Sequence, residues 1–193
     1  MVRTYRIASG MAVLLALLGA GVKPVEADAI YSVNRSVQSG FGPVTITGQM
    51  VTDGTLGPLG RANFVDWTLT VDSSIGSETL HGPLSGNTSY LFIFGSLSAT
   101  ATGLDFDFSG LGVVWLSRGF ISSDTYWCLD NLDSCHLGSG ETIGWDYTIE
   151  GFTPRTGAQQ IATLVSTTVP EPASVLLFAA GALGGALRAL RRA

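Results

Sequence analysis

The sequence predicts a mainly β protein, an antiparallel β-sandwich of the jelly-roll kind, with a signal peptide before it and one transmembrane helix after it. Residues 28–168 contain no Lys, three Glu and six Ala, but eighteen Thr and many Val, Ile and aromatic residues, which favour strands over helices. Apolar and polar residues alternate in several stretches of this segment, between clusters of Gly, Pro, Asn and Asp. An apolar run near each end of the chain predicts the two flanking segments.

The composition of the whole chain excludes several classes of protein. With 13% charged and 46% hydrophobic residues among 193, the chain is too apolar for a disordered protein. Two Cys are too few for a disulfide-dense scaffold. The formal net charge of -5 offers no basic surface that would neutralise phosphates, so we expect no nucleic acid partner.

Residues 1–27 are predicted to be a signal peptide. Arg3 and Arg6 precede an apolar stretch over residues 7–22, and small residues follow that stretch. This order implies export and cleavage by signal peptidase. A retained N-terminal anchor is the alternative, although about sixteen apolar residues are short for a membrane span.

Strict alternation identifies the clearest strands of the domain at residues 28–168. In each of them one face is apolar and the other polar, as in a half-buried antiparallel strand. The alternating apolar residues are Trp67, Leu69 and Val71, then Leu104, Phe106 and Phe108, then Ile143, Trp145, Tyr147 and Ile149. Further strands are predicted at residues 44–51, 90–98, 111–117 and 160–166. Seven or so short strands without a helical interval favour the sandwich.

The two cysteines are predicted to form a disulfide. Cys128 and Cys135 belong to a chain that is exported to an oxidising compartment, where free thiols are seldom kept. They enclose only six residues, so the bridge is expected to hold one loop rather than the whole fold.

Carboxylates around the cysteine loop suggest a calcium site. Asp124, Asp130, Asp133 and Glu141, with the amide of Asn131, could supply the oxygen ligands that Ca²⁺ prefers. The EF-hand spacing is missing, and a solvated anionic surface is the alternative reading. No other metal or cofactor is expected.

Aromatic residues beside the same loop suggest a saccharide contact. Tyr126 and Trp127 lie outside the alternating strands, and flat rings stack on sugar faces. The alternative is that Trp127 covers the end of the core beside the disulfide.

Catalysis has little support in the sequence. His81 and His136 are the two available histidine bases, and no nucleophile, zinc or phosphate-loop motif accompanies them. We therefore expect a protein that is not an enzyme. A glycoside hydrolase stays open as an alternative, because that chemistry needs only two carboxylates across a cleft.

Residues 169–193 have a three-part organisation. A short proline motif comes first, an apolar segment at residues 173–187 follows, and arginines close the chain. Residues 173–190 would form about 27 Å of helix at 1.5 Å per residue, just enough for a hydrocarbon core of about 30 Å. The arginines place that end on the cytoplasmic side. The motif is Pro170, Glu171 and Pro172, and the basic stop is Arg188, Arg191 and Arg192.

This three-part order resembles the PEP-CTERM sorting signal of exported proteins in Gram-negative bacteria. The resemblance implies an exosortase, a membrane protease-transpeptidase, as the partner that cuts near Pro170-Glu171-Pro172. It also implies an intermediate anchored in the inner membrane, then release to the cell surface or the extracellular space, and an association with exopolysaccharide and biofilm. The alternative is a plain tail anchor that is never processed.

The middle of the chain is also similar to a group of PEP-CTERM proteins from cyanobacteria and proteobacteria. The similar blocks lie at residues 53–71, 81–87, 97–110 and 126–130. No activity follows from this similarity.

The function expected from the sequence is that of a non-enzymatic surface or extracellular-matrix protein. The alternative is a carbohydrate-binding module or glycoside hydrolase that acts on the exopolysaccharide.

The signal peptide makes a prediction about the mature N-terminus. Val25 and Ala27 place the cut before Asp28, while Ala27 and Ala29 place it before Ile30, because signal peptidase requires small residues at the -3 and -1 positions. Intact-mass measurement of the exported protein should find one of these two termini. A mature species that still carries residues 1–27 would contradict the prediction.

Overall fold

A computed structural model describes residues 27–119, 125–135, 138–145 and 149–168, and these form strands joined by turns and one 3₁₀ helix. The predicted signal peptide, apart from Ala27, and the whole tail at residues 169–193 lie outside the described residues. No helix in the described part of the chain is long and apolar enough to cross a membrane. In chain order the elements are β1 (Asp28–Ser39), β2 (Gly42–Thr52), β3 (Gly57–Pro58), the 3₁₀ helix η1 (Arg61–Asn63), β4 (Phe64–Ser73), β5 (Gly76–His81), β6 (Tyr90–Gly95), β7 (Leu97–Ala99), β8 (Gly103–Asp107), β9 (Gly112–Ser117), β10 (Tyr126–Asp130), β11 (Gly140–Trp145), β12 (Ile149–Pro154) and β13 (Ala158–Thr168).

The predicted mainly β, antiparallel fold is confirmed, but its strands belong to one open network instead of the two separate sheets of a jelly roll. The order is β3-β7-β8-β13-β1-β12-β11-β10-β9-β6, and β2, β4 and β5 extend from β1. Strand β1 connects the parts of this network, because three strands pair with it. It pairs with β2 along one edge, and with β13 and then β12 along the other.

The hydrophobic core follows the predicted alternation. Trp67, Leu69 and Val71 in β4 are at most 1% exposed, and Leu104 and Phe106 in β8 are fully buried. These side chains belong to one buried cluster, together with residues from the other branches of the network. Each fully buried apolar side chain contributes about 1.5–3 kcal/mol, so this cluster supplies most of the stabilisation.

The alternating residues 143–149 form two strands where one was predicted. Ile143 and Trp145 belong to β11, whereas Ile149 begins β12, and Trp145 is paired with Ile149 across an antiparallel ladder. Alternation gives the periodicity of side chains but does not show where the chain reverses direction. Tyr147 lies outside the described residues.

A buried carboxylate, that of Glu141, is held by hydrogen bonds from several strands. The side chain of Glu141 in β11 is 0% exposed and makes two hydrogen bonds with Arg35 of β1, from Nε to Oε1 at 3.0 Å and from Nη2 to Oε2 at 2.6 Å. Arg155, just after β12, donates from Nη2 to Oε2 at 3.0 Å, and Trp127 of β10 donates from Nε1 to Oε1 at 3.0 Å. Glu141 therefore connects four segments that are distant in sequence.

The contacts of Glu141 with Arg35, Arg155 and Trp127 lead to a prediction about stability. We expect Glu141→Gln to lower the free energy of unfolding by about 3 kcal/mol, because two partly buried guanidinium groups would lose their counter-charge. Urea unfolding of the mature chain, followed by tryptophan fluorescence, measures the change. Glu78→Gln is the matched control, because its ionic partner Arg118 is 61% exposed and a Gln can still accept the hydrogen bond from the Thr125 hydroxyl. That variant should lose at most about 1 kcal/mol. Equal losses in both variants would contradict the assigned role of Glu141.

Candidate functional site

The sheet formed by β6, β9, β10 and β11 has two different faces, because successive side chains of a strand point to opposite sides. Its inner face is part of the core. The residues paired across this face are Leu91, Leu116, Trp127 and Ile143, all of them 0% exposed. Residues one position along each strand point outward.

Four aromatic side chains on β6 and β9 form the outward surface, which we call the aromatic face: Tyr90, Phe92, Phe94 and Trp115. Tyr90 and Phe92 are 44% exposed and Phe94 is 54% exposed, although all three belong to a regular strand. Phe92 is paired directly with Trp115. A depression of about 290 Å³ lies between Tyr90, Phe92, Trp115 and Ser117. Several exposed rings on one face of a sheet form an apolar patch, and such patches often mark contact surfaces.

Tyr126 of β10 supports the aromatic face from the side. Its ring centroid lies 6.2 Å from that of Trp115, and its hydroxyl donates to Glu150 Oε2 at 2.7 Å. A Cβ at Gly144, its cross-strand neighbour, would lie 2.2 Å from the Tyr126 ring, so this position leaves the space that the ring occupies. Burial raises the pKa of the Tyr126 hydroxyl, and the hydrogen bond to Glu150 raises it further. The hydroxyl therefore stays protonated and remains a donor.

The predicted disulfide is present and lies on the same outer side. Cys128 is bonded to Cys135 and is buried beside Val113 and Tyr126. Asp130 closes the loop, because its carboxylate accepts hydrogen bonds from the backbone amides that follow it. These are the amides of Leu132, Ser134 and Cys135. The loop is thus joined to β10 at both ends.

The structure does not assemble the predicted calcium site. Glu141 points to the inner face and binds arginines, whereas Asp130 binds backbone amides of the cysteine loop. Asp133 accepts from the amide of Gly138 at 2.6 Å, and Asp124 lies outside the described residues. Among the described ranges, no three His, Cys, Asp or Glu side chains are grouped so that they could hold a metal ion.

The prediction that Tyr126 and Trp127 form an exposed saccharide contact is wrong. Both belong to β10, and as consecutive residues of one strand they point to opposite faces. Trp127 is 0% exposed in the core, which agrees with the alternative reading, and Tyr126 is 8% exposed. The exposed rings are on β6 instead. Its sequence predicted a strand, but Leu91 and Ile93 between the rings are also apolar, so the pattern did not show which face is outward.

Comparison with known proteins identifies the tail. The family model described as the PEP-CTERM protein-sorting motif matches residues 168–192, which include Pro170, Glu171 and Pro172 and all three arginines of the basic stop. No curated protein and no solved structure matches the chain. The chain therefore carries the sorting motif of exosortase substrates. That motif implies export and processing at the membrane before surface display.

The motif makes a prediction about processing. In a host with an active exosortase, we expect Glu171→Ala to leave the protein anchored and uncut, because the change removes the charged centre of the Pro-Glu-Pro segment. Fractionation and mass spectrometry of the C-terminus measure both properties. Ser174→Ala is the matched control inside the apolar span and should be cut normally.

Deletion of residues 173–193 should release the domain without processing. A wild-type protein that keeps its arginine-rich end while the exosortase is active would contradict the prediction.

Proposed function

We propose that this chain is an exported, non-enzymatic surface or extracellular-matrix protein of a Gram-negative bacterium, and that it associates with exopolysaccharide in a biofilm. The sorting motif at residues 168–192 supports the cellular address. The observation that carries the molecular part is the aromatic face, three exposed rings on one strand beside Trp115.

The chemistry of the aromatic face fits a saccharide. Pyranose rings have apolar faces that stack on flat side chains, while nearby hydroxyl groups fix their orientation. Alternate residues of a strand are about 7 Å apart, so Tyr90, Phe92 and Phe94 extend over about 14 Å. A surface of this length can contact more than one sugar unit of a polymer. Ser117 also lines the depression, but it is 2% exposed and its hydroxyl donates to the carbonyl of Gly119, so the rings are the contact that we propose.

The aromatic face is rigid, which favours binding. Its rings stand on strands whose inner residues Leu91 and Leu116 are fully buried, and Tyr126 and the disulfide hold the neighbouring strand β10. A surface that is already ordered loses little conformational entropy when a ligand binds. The binding of a long, flexible polymer therefore does not require the protein to be reorganised.

Charge favours a neutral saccharide over an acidic one. Residues 28–168 contain thirteen Asp and Glu against four Arg, so the domain repels polyanions. The aromatic face itself carries no charged side chain. We therefore propose neutral sugar units as its ligand.

Contacts of the glutamates favour binding over hydrolysis. A glycoside hydrolase needs two carboxylates that face each other across a cleft. Glu141 is enclosed with its arginines in the core, Glu150 accepts from Tyr126, and Glu78 is paired with Arg118. These contacts give each of the three glutamates a structural partner, so we propose none of the three as the acid or the nucleophile of a hydrolase.

The proposal predicts a loss of saccharide binding when the aromatic face is changed. We expect Phe92→Ala and Trp115→Ala each to weaken binding of the mature chain to the purified exopolysaccharide of the producing organism by about two- to tenfold, since one stacked ring contributes about 0.5–1.5 kcal/mol. Titration calorimetry with oligosaccharides from that polymer measures the change.

Phe41→Ala is the matched control, because Phe41 is 69% exposed in the β1–β2 turn, away from the aromatic face. It should bind as the wild type does. Unchanged binding in both face variants, or an equal loss in the control, would contradict the proposal.

A further inference from the structure

We propose that β6 pairs with β6 of a second copy of this chain, as antiparallel strands related by a two-fold axis. Strand β6 ends its branch of the network. It pairs with β9 along one edge, and no other strand in the described part of the chain pairs with its second edge. An edge of this kind presents donors and acceptors that another strand can bind.

Strand β6 lacks the features that normally protect an edge. Its six residues contain neither a charged residue nor Pro, and its register with β9 runs from Tyr90 to Gly95 without a bulge. The two other terminal strands of the network differ. Strand β3 has two residues, one of which is Pro58, and β5 carries Glu78, which binds Arg118. Of these three ends, β6 is the one whose sequence permits pairing.

Charge favours a second copy at this edge. Residues 79–104 contain no Asp, Glu, Lys or Arg, and β6 lies in the middle of this segment. Elsewhere the domain is strongly acidic, so two copies repel each other over most approaches. Strand β6 therefore adds no charge to that repulsion, and the charged residue of the nearby η1, Arg61, is basic and does not add to it either.

The alternation of β6 sets the register of the pair. Residues that are directly opposite in an antiparallel ladder share a face. The rings of both copies therefore stay outward only in registers that place outward residues of one copy opposite outward residues of the other. The central one places Phe92 opposite Phe92 of the second copy and Tyr90 opposite Phe94. Leu91 then lies opposite Ile93 on the inner face. Every side chain of β6 thereby meets one of its own kind.

The 3₁₀ helix η1 lies near β6 but is too short to protect it. Cα atoms of the two elements come within 8 Å of each other. Three 3₁₀ residues extend about 6 Å, whereas six strand residues extend about 20 Å. Within the described part of the chain, most of the edge therefore stays accessible to another strand.

The pairing would join the aromatic faces of two copies into one surface with rings from both β6 strands. It does not depend on saccharide binding. It is tested without any saccharide, so that failure of one proposal leaves the other standing.

Cysteine cross-linking of the full chain in non-ionic detergent tests the register. Phe92→Cys should give a covalent dimer as the main product of mild oxidation, because opposite Cβ atoms lie about 5 Å apart. Val165→Cys is the control, since Val165 is 57% exposed on β13, at the register shift in the ladder with β1 and on a different strand from β6. Cys128 and Cys135 are bonded to each other in both variants. Equal cross-linking of the two variants would overturn the proposal.

Charge substitution at Phe92 separates pairing from misfolding. Phe92→Lys and Phe92→Glu should each be monomeric by light scattering, because like charges would lie directly opposite each other. An equimolar mixture of the two should form a heterodimer. A mixture that stays monomeric, or single variants that remain dimeric, would overturn the proposal.

Discussion

The ionic contact of Glu141 with Arg35 and Arg155 constrains the rest of the structure. A carboxylate that is 0% exposed is stable only where its charge is balanced and its oxygens accept hydrogen bonds, and β11 satisfies this in a single register. A shift by one residue would move Glu141 to the outer face and Thr142 into the core. The contact therefore fixes which side of β10 and β11 is buried. Through the cross-strand pairs it also fixes which side of β9 and β6 faces solvent.

The outward orientation of Phe92 and Trp115 follows from that constraint. Trp127 donates to Glu141 and fills the core, so its neighbours Tyr126 and Cys128 point to the other side, where they support the aromatic face. The inner face belongs to the buried core, and the outer face carries the exposed rings for which we propose a ligand. The tail provides the cellular address in a separate segment of 25 residues, at 168–192. The sorting motif and the aromatic face therefore lie in separate segments of the chain.

Sequence patterns predicted the strands of this fold better than their arrangement. Leu104, Phe106 and Trp67 lie on faces that alternate with polar residues, and their burial was predicted correctly. Strand β10 was not predicted because all five of its residues are buried, which removes the alternation. The Glu141 contact joins positions 106 residues apart, and no local pattern reveals such a pair. The same limit hid the exposed rings of β6, since both faces of that strand are apolar and only the tertiary fold distinguishes them.

Aromatic carbon NMR tests most directly whether the two faces of this sheet have different roles. The mature chain, labelled in its aromatic side chains, would be titrated with neutral oligosaccharides from the exopolysaccharide of the producing organism. Resonances of Trp115 and Phe92 should shift on binding, while those of Trp127 and Trp67, both at most 1% exposed, should not. Shifts confined to residues outside the aromatic face, or no shifts at saturating ligand, would contradict the account.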